Sequence, residues 1–220
     1  VLHKMDGRPL INHVCRTATA LAPESIYVVI GHQGEDVKSA VLRELDGQKV
    51  AFVMQEQQLG TGDAVNAARS FLQESDSTLV ILSGDVPLIR HETLASLVQH
   101  HHRYLERGAA CTILTVRLND PAGYGRIVRN GEGLFHRIVE QKDANDEERQ
   151  IKEINAGIYC FDARKLFSAL KAVKNNNAQG EYYLTDVPGL LKDAGEDVAI
   201  FQFGDAQEIE GVNNRAQLAD

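Results

Sequence analysis

The chain has 220 residues, 43% hydrophobic and 25% charged, and its 31 acidic against 23 basic side chains leave a formal net charge of −8. That balance argues against a nucleic-acid-binding face, while anionic small ligands remain compatible with it wherever a metal or clustered amides reverse the field locally. The apolar runs are far too short for membrane insertion and no signal-peptide pattern is present. Cys15, Cys111 and Cys160 are widely spaced and form no CxxC pair, which argues against structural zinc and a disulfide framework and for a cytoplasmic setting.

Val1 opens the chain without an initiator Met, which reads as a domain entered part-way. Pro9 is placed to start a helix with Leu10, Val14, Ala18 and Leu21 on one face. A buried strand over Ser25–Ile30, a helix over Glu35–Leu45 and a short strand over Val50–Met54 follow. Thr61 is expected to cap a helix from Gly62 to about Phe71. Next come a strand over Thr78–Leu82, buried on both faces, a helix over about Glu92–Arg107 and a long strand over Ala109–Leu118. Strands alternating with helices imply βαβ units and a parallel sheet.

From Asp120 the texture changes. Gly123–Arg129, the turn Asn130-Gly131-Glu132-Gly133 and Leu134–Glu140 read as a hairpin. Lys142–Gln150 reads as a solvated loop or short helix. A strand over Ile154–Phe161 and a helix over Ala163–Val173 lead to a break at Asn175–Asn177. Tyr182–Ala194 then reads as helical and Val198–Phe203 as a strand. A doubly wound α/β sheet with a β-rich insertion over its ligand edge accounts for this order.

Four segments carry candidate chemistry. Ser83-Gly84-Asp85-Val86-Pro87-Leu88 places a carboxylate past the carboxyl end of a strand, where open α/β sheets bind ligands. Asp85 there suits one Mg²⁺ shared with substrate phosphates, and equally a turn or helix cap; Gly84 permits close backbone approach. Gln55 and Gln58, before Gly60-Thr61-Gly62, carry the donors and acceptors that match a nucleobase edge, or simply face solvent at a capped turn. Glu140 and Asn155, with the Gly125 backbone, suit a sugar pocket; a surface Glu and a turn Asn are the alternative. Asn213 offers a neutral oxygen that would complete a metal site with Asp85, or belongs to an Asn-rich turn. The run His100-His101-His102 is read as a solvated helical face, since consecutive helical residues point about 100° apart and do not converge on a metal. Nucleophile-elbow and Walker-type motifs are absent.

Taken together, seven ordered motifs resemble a known family. They are Gln55-x-x-Gln58-Leu59-Gly60-Thr61-Gly62, Gly84-Asp85-Val86-Pro87-Leu88, Asp120-Pro121-x-Gly123-Tyr124-Gly125-Arg126-Ile127, Ile138-Val139-Glu140, Glu153-Ile154-Asn155-x-Gly157, Asn175 through Asp186, and Glu210-Gly211-Val212-Asn213-Asn214-Arg215. This order is similar to the uridylyltransferase domain of the bacterial bifunctional N-acetylglucosamine-1-phosphate uridylyltransferase and glucosamine-1-phosphate acetyltransferase. The resemblance implies a Rossmann-like sugar nucleotidyltransferase fold with a mixed, mostly parallel sheet and a β-rich sugar-binding insertion. It implies transfer of UMP from UTP to N-acetylglucosamine 1-phosphate, giving UDP-N-acetylglucosamine and pyrophosphate for peptidoglycan and envelope synthesis.

By the same resemblance Gln55, Gly60 and Thr61 hold the uracil, and Ser83 and Gly84 are among the substrate-binding residues. Asp85 and Asn213 ligate Mg²⁺ and are the catalytic pair. Gly125, Glu140 and Asn155 contact the N-acetylglucosamine, with Thr185 on the sugar side. The family's first strand and its Gly-rich loop have no counterpart here. Residues 1–215 are expected to be the nucleotidyltransferase domain and 216–220 the start of a linker toward a C-terminal β-helix domain that carries acetyl transfer and trimer contacts. Two alternatives stand beside this reading: a related transferase for another sugar 1-phosphate or nucleotide, and an inactive nucleotide-sugar-binding module.

Overall fold

The computed structural model describes residues 1–45, 49–105 and 109–209. The elements in chain order are β1 (Lys4–Met5), β2 (Arg8–Pro9), α1 (Leu10–Ala20), β3 (Ile26–Ile30), α2 (Gly34–Glu44), β4 (Val50–Met54), α3 (Thr61–Ala67) and α4 (Arg69–Leu72). They continue with β5 (Thr78–Ile81), α5 (His91–Leu105), β6 (Ala109–Arg117), β7 (Arg126–Arg129), β8 (Phe135–Val139), α6 (Asp146–Arg149) and β9 (Glu153–Asp162). The last are α7 (Ala163–Ala169), a 3-10 turn at Leu184–Asp186, α8 (Val187–Asp193), β10 (Asp197–Phe203) and a 3-10 turn at Gln207–Ile209. None of the described helices is long and apolar enough to cross a membrane.

One compact unit comprises residues 1–57, 82–96 and 207–209. Its strands β3 and β4 pair in parallel from Ile26↔Val50 to Ile30↔Met54, joined through α2 as the alternating pattern requires. Pro9 caps α1, whose inner face buries Leu10, Ile11, Val14 and Cys15. Ile11 and Cys15 pack with Val28, Ile30, Val37, Val41 and Leu45 into one apolar core. The carboxylate of Glu208, 3% exposed, accepts the Arg90 backbone N–H at 3.1 Å and the Thr93 hydroxyl at 2.6 Å, and pairs with the Arg90 guanidinium. Those bonds anchor residues 207–209 at the start of α5.

The other unit comprises residues 58–81 and 97–206. Its six-stranded sheet runs β10-β6-β9-β7-β8, with β5 also paired to β9. The sheet is mixed, as expected, but it is not mostly parallel. Among the described residues only β6–β10 pairs in parallel within it, because β9 returns from the β7–β8 hairpin and runs antiparallel to β5, β6 and β7. Ile113, Ile127, Phe135, Tyr159, Phe161, Phe167 and Val187 are among the side chains of its core.

Four local expectations change. The β5 strand is half-buried at every position, with β9 its one partner among the described residues, and is not enclosed on both faces. Residues 182–194 do not form one helix: Tyr182 and Tyr183 are extended because the Tyr182 N–H donates to the Leu59 carbonyl and its own carbonyl accepts from Gly62. The helix after β9 ends at Ala169. The three histidines are not all solvated. His101 is fully buried, its Nδ1 2.9 Å from the Thr112 hydroxyl, while His100 packs on Tyr104 and Phe201 and His102 is exposed. Lys142–Gln150 does hold a short helix, α6, opened by a reciprocal cap between Asn145 and Glu148.

Candidate functional site

Four of the expected residues meet in the second unit. Gly125 immediately precedes β7, Glu140 immediately follows β8, Asn155 lies in β9, and Thr185 sits in the 3-10 turn before α8. The hairpin brings the first two together: a Cβ on Gly125 would meet both Glu140 carboxylate oxygens at 3.5 Å and Ile138 Cγ2 at 3.2 Å. Glycine therefore leaves the carboxylate facing bare backbone. The Thr185 hydroxyl donates to Glu140 Oε1 at 2.9 Å, and the Asn155 N–H donates to the Gly125 carbonyl at 2.9 Å.

Both ends of the Asn155 amide are held. Its Oδ1 accepts the Gly157 backbone N–H at 3.1 Å, which settles which atom is oxygen, and its Nδ2 donates to the Tyr159 hydroxyl at 2.7 Å. One Nδ2 hydrogen and one Oδ1 lone pair of this buried amide have no partner among the described residues. Burial raises the Tyr159 pKa and keeps the phenol protonated. Burial also pushes the Glu140 carboxyl above its ordinary range; Asp143 and Asp186 add to this, while the Thr185 hydroxyl and Arg126 oppose it. A carboxylate held in this way is a strong acceptor for ligand hydroxyls and repels bare anions.

Gly60 and Thr61 lie in the same unit, and the cap of α3 differs from the expected one. Gly60, not Thr61, caps α3, at φ +114°. The Thr61 hydroxyl instead accepts the Leu184 N–H at 3.0 Å, next to Thr185. What approaches these glycines is the protein's own chain: a Cβ on Gly60 would stand 2.7 Å from the Tyr182 carbonyl oxygen, and one on Gly62 2.9 Å from it.

Gln55, Ser83, Gly84 and Asp85 belong to the first unit. The Gln55 N–H donates to the Ile30 carbonyl at 2.8 Å, so the residue leaves β4 in sheet register. The Ser83 carbonyl accepts the Val86 N–H at 3.4 Å, closing the turn that carries Asp85. A Cβ on Gly84 would meet Ile11 Cδ1 at 2.9 Å and Val1 Cγ1 at 3.3 Å, so here too the close neighbour is protein. Asp85 is half-buried, and no group of three or more His, Cys, Asp or Glu side chains gathers a metal among the described residues. One carboxylate fits a hard cation that completes its shell with phosphate and water oxygens, not a cage made by protein alone. Asn213 lies outside the described residues.

Three residues of the second unit went unassigned in the sequence: Arg126, Gln141 and Tyr159. Arg126 lies within a quoted motif, but an arginine opening a strand gives no sign of burial. Tyr159 is hidden in an apolar run, and Gln141 follows Glu140 without any pattern.

The family model described as "Nucleotidyl transferase" matches residues 1–206. The chain belongs to the nucleotidyl transferase family. Curated relatives named "Bifunctional protein GlmU" include one from Brevibacillus brevis, 49% identical over 220 residues, covering 100% of this chain and 46% of that protein. Another, from Pediococcus pentosaceus, is 48% identical over 219 residues, covering 100% and 45%. The chain thus spans just under half the length of the curated relatives it matches. Among solved structures, a CMP:2-keto-3-deoxy-manno-octonic acid synthetase complexed with CTP superimposes with a TM-score of 0.71 at 18% identity, covering 99% of this chain and 88% of the other. A UDP-glucose pyrophosphorylase complexed with UDP-glucose gives 0.71 at 16% identity, covering 92% and 81%. At these identities the likeness establishes a shared fold for this nucleotidyl transferase, and only that.

Proposed function

We propose that this nucleotidyl transferase moves UMP from UTP to N-acetylglucosamine 1-phosphate, releasing pyrophosphate and giving UDP-N-acetylglucosamine for peptidoglycan and envelope polysaccharides. The observation that carries the reading is the Glu140 carboxylate seated over side-chain-free Gly125 and oriented by Thr185, with Asn155 bonded through its backbone N–H to the same glycine. Carboxylate oxygens over a glycine that carries no side chain, with a carboxamide one strand away, match the hydroxyls and N-acetyl group of a sugar. The ordered resemblance of the whole chain supplies the nucleotide half. By that resemblance Gln55 and the Gly60-Thr61 turn take the uracil, with Ser83 and Gly84 among the substrate-binding residues.

In the reaction an oxygen of the sugar phosphate forms a bond to the α-phosphorus of UTP. The bond from that phosphorus to the bridging oxygen breaks, and its electron pair leaves with pyrophosphate. Such a step needs alignment and charge neutralisation more than a protein base. Mg²⁺, held by Asp85 and Asn213, would supply that neutralisation when bound. Glu140, Asn155 and Thr185 orient the sugar so that its phosphate oxygen lies in line. On this reading residues 1–215 are the transferase domain of a cytoplasmic protein. Its remaining length acetylates glucosamine 1-phosphate and forms a trimer.

The test is kinetic, in the complete protein. Asp85→Ala is expected to lower turnover roughly a thousandfold. Glu140→Ala is expected to raise KM for the sugar phosphate about tenfold or more with KM for UTP within about twofold. Normal Mg²⁺-dependent turnover in Asp85→Ala refutes the metal assignment, and a loss confined to UTP in Glu140→Ala reverses the pocket. Faster turnover with glucose 1-phosphate or dTTP points to a related transferase, and UTP binding without turnover to an inactive module.

A further inference from the structure

Arg126 is among the largest fully buried side chains in the fold, 1% exposed, at the first position of β7. Burial lowers its pKa, and Asp120 and Glu140 offset this from a distance. It makes no salt bridge with either carboxylate among the described residues; its acceptors are neutral. One Nη donates to the Tyr124 backbone carbonyl and the other to Gln141 Oε1 at 2.6 Å. Gln141 Oε1 also accepts the Gly123 N–H at 3.2 Å, and Arg126 Nε has no partner among the described residues.

Packing alone does not account for this arginine, since an apolar side chain of similar volume fills such a site at least as stably. What arginine adds is a rigid fork that reaches two acceptors at once. Here the fork closes a bridge from the 123–124 backbone to Gln141. Gly125 follows Tyr124 and Glu140 precedes Gln141, so the bridge grips the chain beside both members of the Gly125–Glu140 approach.

We infer that Arg126 and Gln141 are positioning residues whose hydrogen-bonded brace sets the gap between the Gly125 backbone and the Glu140 carboxylate, and so determines how well a sugar 1-phosphate is held. The inference rests on the sugar-phosphate reading of that pocket. Neither residue need touch the ligand; each acts through its neighbour.

The experiment measures KM for N-acetylglucosamine 1-phosphate and for UTP, with thermal unfolding, in the complete protein and in Arg126→Met, Arg126→Lys, Gln141→Ala, the double variant Arg126→Met/Gln141→Ala and Glu140→Ala. Gln141 is half-buried, so its truncation leaves the fold intact even where an Arg126 variant does not fold. Gln141→Ala and Arg126→Met are each expected to raise the sugar-phosphate KM roughly tenfold with the UTP KM within about twofold, and the double variant to be little worse than either. Arg126→Lys, which keeps the charge and loses the fork, behaves like Arg126→Met. An unchanged sugar-phosphate KM in Gln141→Ala, beside a raised one in Glu140→Ala, overturns the brace and leaves the pocket standing. Equal losses for both substrates that track thermal stability overturn it as well. If Glu140→Ala leaves the sugar-phosphate KM intact, the pocket reading fails and the brace fails with it.

Discussion

At the scale of single residues, Gly60 shows that a glycine spacing which suggests a ligand also serves the packing of the chain on itself. A glycine pair around a threonine at a helix start resembles a ligand-binding turn, and the resemblance assigns Gly60 and Thr61 to the uracil. In the fold the pair admits the Tyr182 backbone, whose carbonyl accepts the Gly62 N–H at 2.8 Å. Gly60→Ala would add a Cβ 2.7 Å from that carbonyl oxygen at φ +114°, where a side chain is strained regardless of space. The expected cost is about 2 kcal/mol or more, read as a lower denaturant midpoint at unchanged m. A midpoint equal to wild type would mean that the 181–184 segment moves aside freely. Asp85 is the opposite case: its place after an apolar strand is a matter of sequence alone, and the structure adds the turn that carries it.

Among the elements, β9 organises the second unit. Its first half lies between β6 and β7 and its second half between β6 and β5. It opens with Glu153, 4% exposed, which accepts the Thr115 hydroxyl of β6 at 2.9 Å and pairs with the Arg129 guanidinium of β7 at 2.8 Å. One carboxylate thus joins three strands just ahead of Asn155. Glu153→Ala leaves an exposed arginine with only the Gly133 carbonyl and a buried Thr115 hydroxyl without its acceptor, and is expected to cost about 2 kcal/mol in chemical denaturation. A loss under about 1 kcal/mol would show that the register of β9 is set by its apolar residues alone. The presence of β9 was legible in the sequence. Its antiparallel direction was not, because strand direction depends on which neighbour the chain meets after the hairpin.

For the whole molecule, stability should depend on pH through His101. The buried imidazole is held neutral, its pKa lowered to about 4 mainly by burial, against 6.5 for the free side chain. Between those values the unfolded chain binds the extra proton, so stability is lost as the pH falls from about 6.5 toward 4 and levels off below. Glu140 and Asp186, raised in the fold, act in the opposite sense as the pH rises above the ordinary carboxyl range. A His101→Gln chain shares those carboxylates, and the difference between the two isolates the histidine. Wild type is expected to lose up to roughly 3 kcal/mol more than the variant across that window. Parallel stability curves would show that His101 is protonated inside the fold.

The order of motifs determined, without any coordinates, that this is a nucleotidyl transferase of α/β type, and it named Gly125, Glu140, Asn155 and Thr185 as partners although 60 positions separate the first from the last. Short-range physics suffices for β4, whose bounds were predicted residue for residue, and for the cap that opens α6. Only the tertiary structure decided that Tyr182 and Tyr183 run extended, that His101 is buried while His102 is not, and that Arg126 braces Gln141. Each of these depends on a partner distant in sequence: the Leu59 and Gly62 backbone, the Thr112 hydroxyl, and a side chain across the hairpin. Periodicity reports which face of an element is apolar, whereas burial of a polar group is decided by whether a distant donor or acceptor is there to receive it.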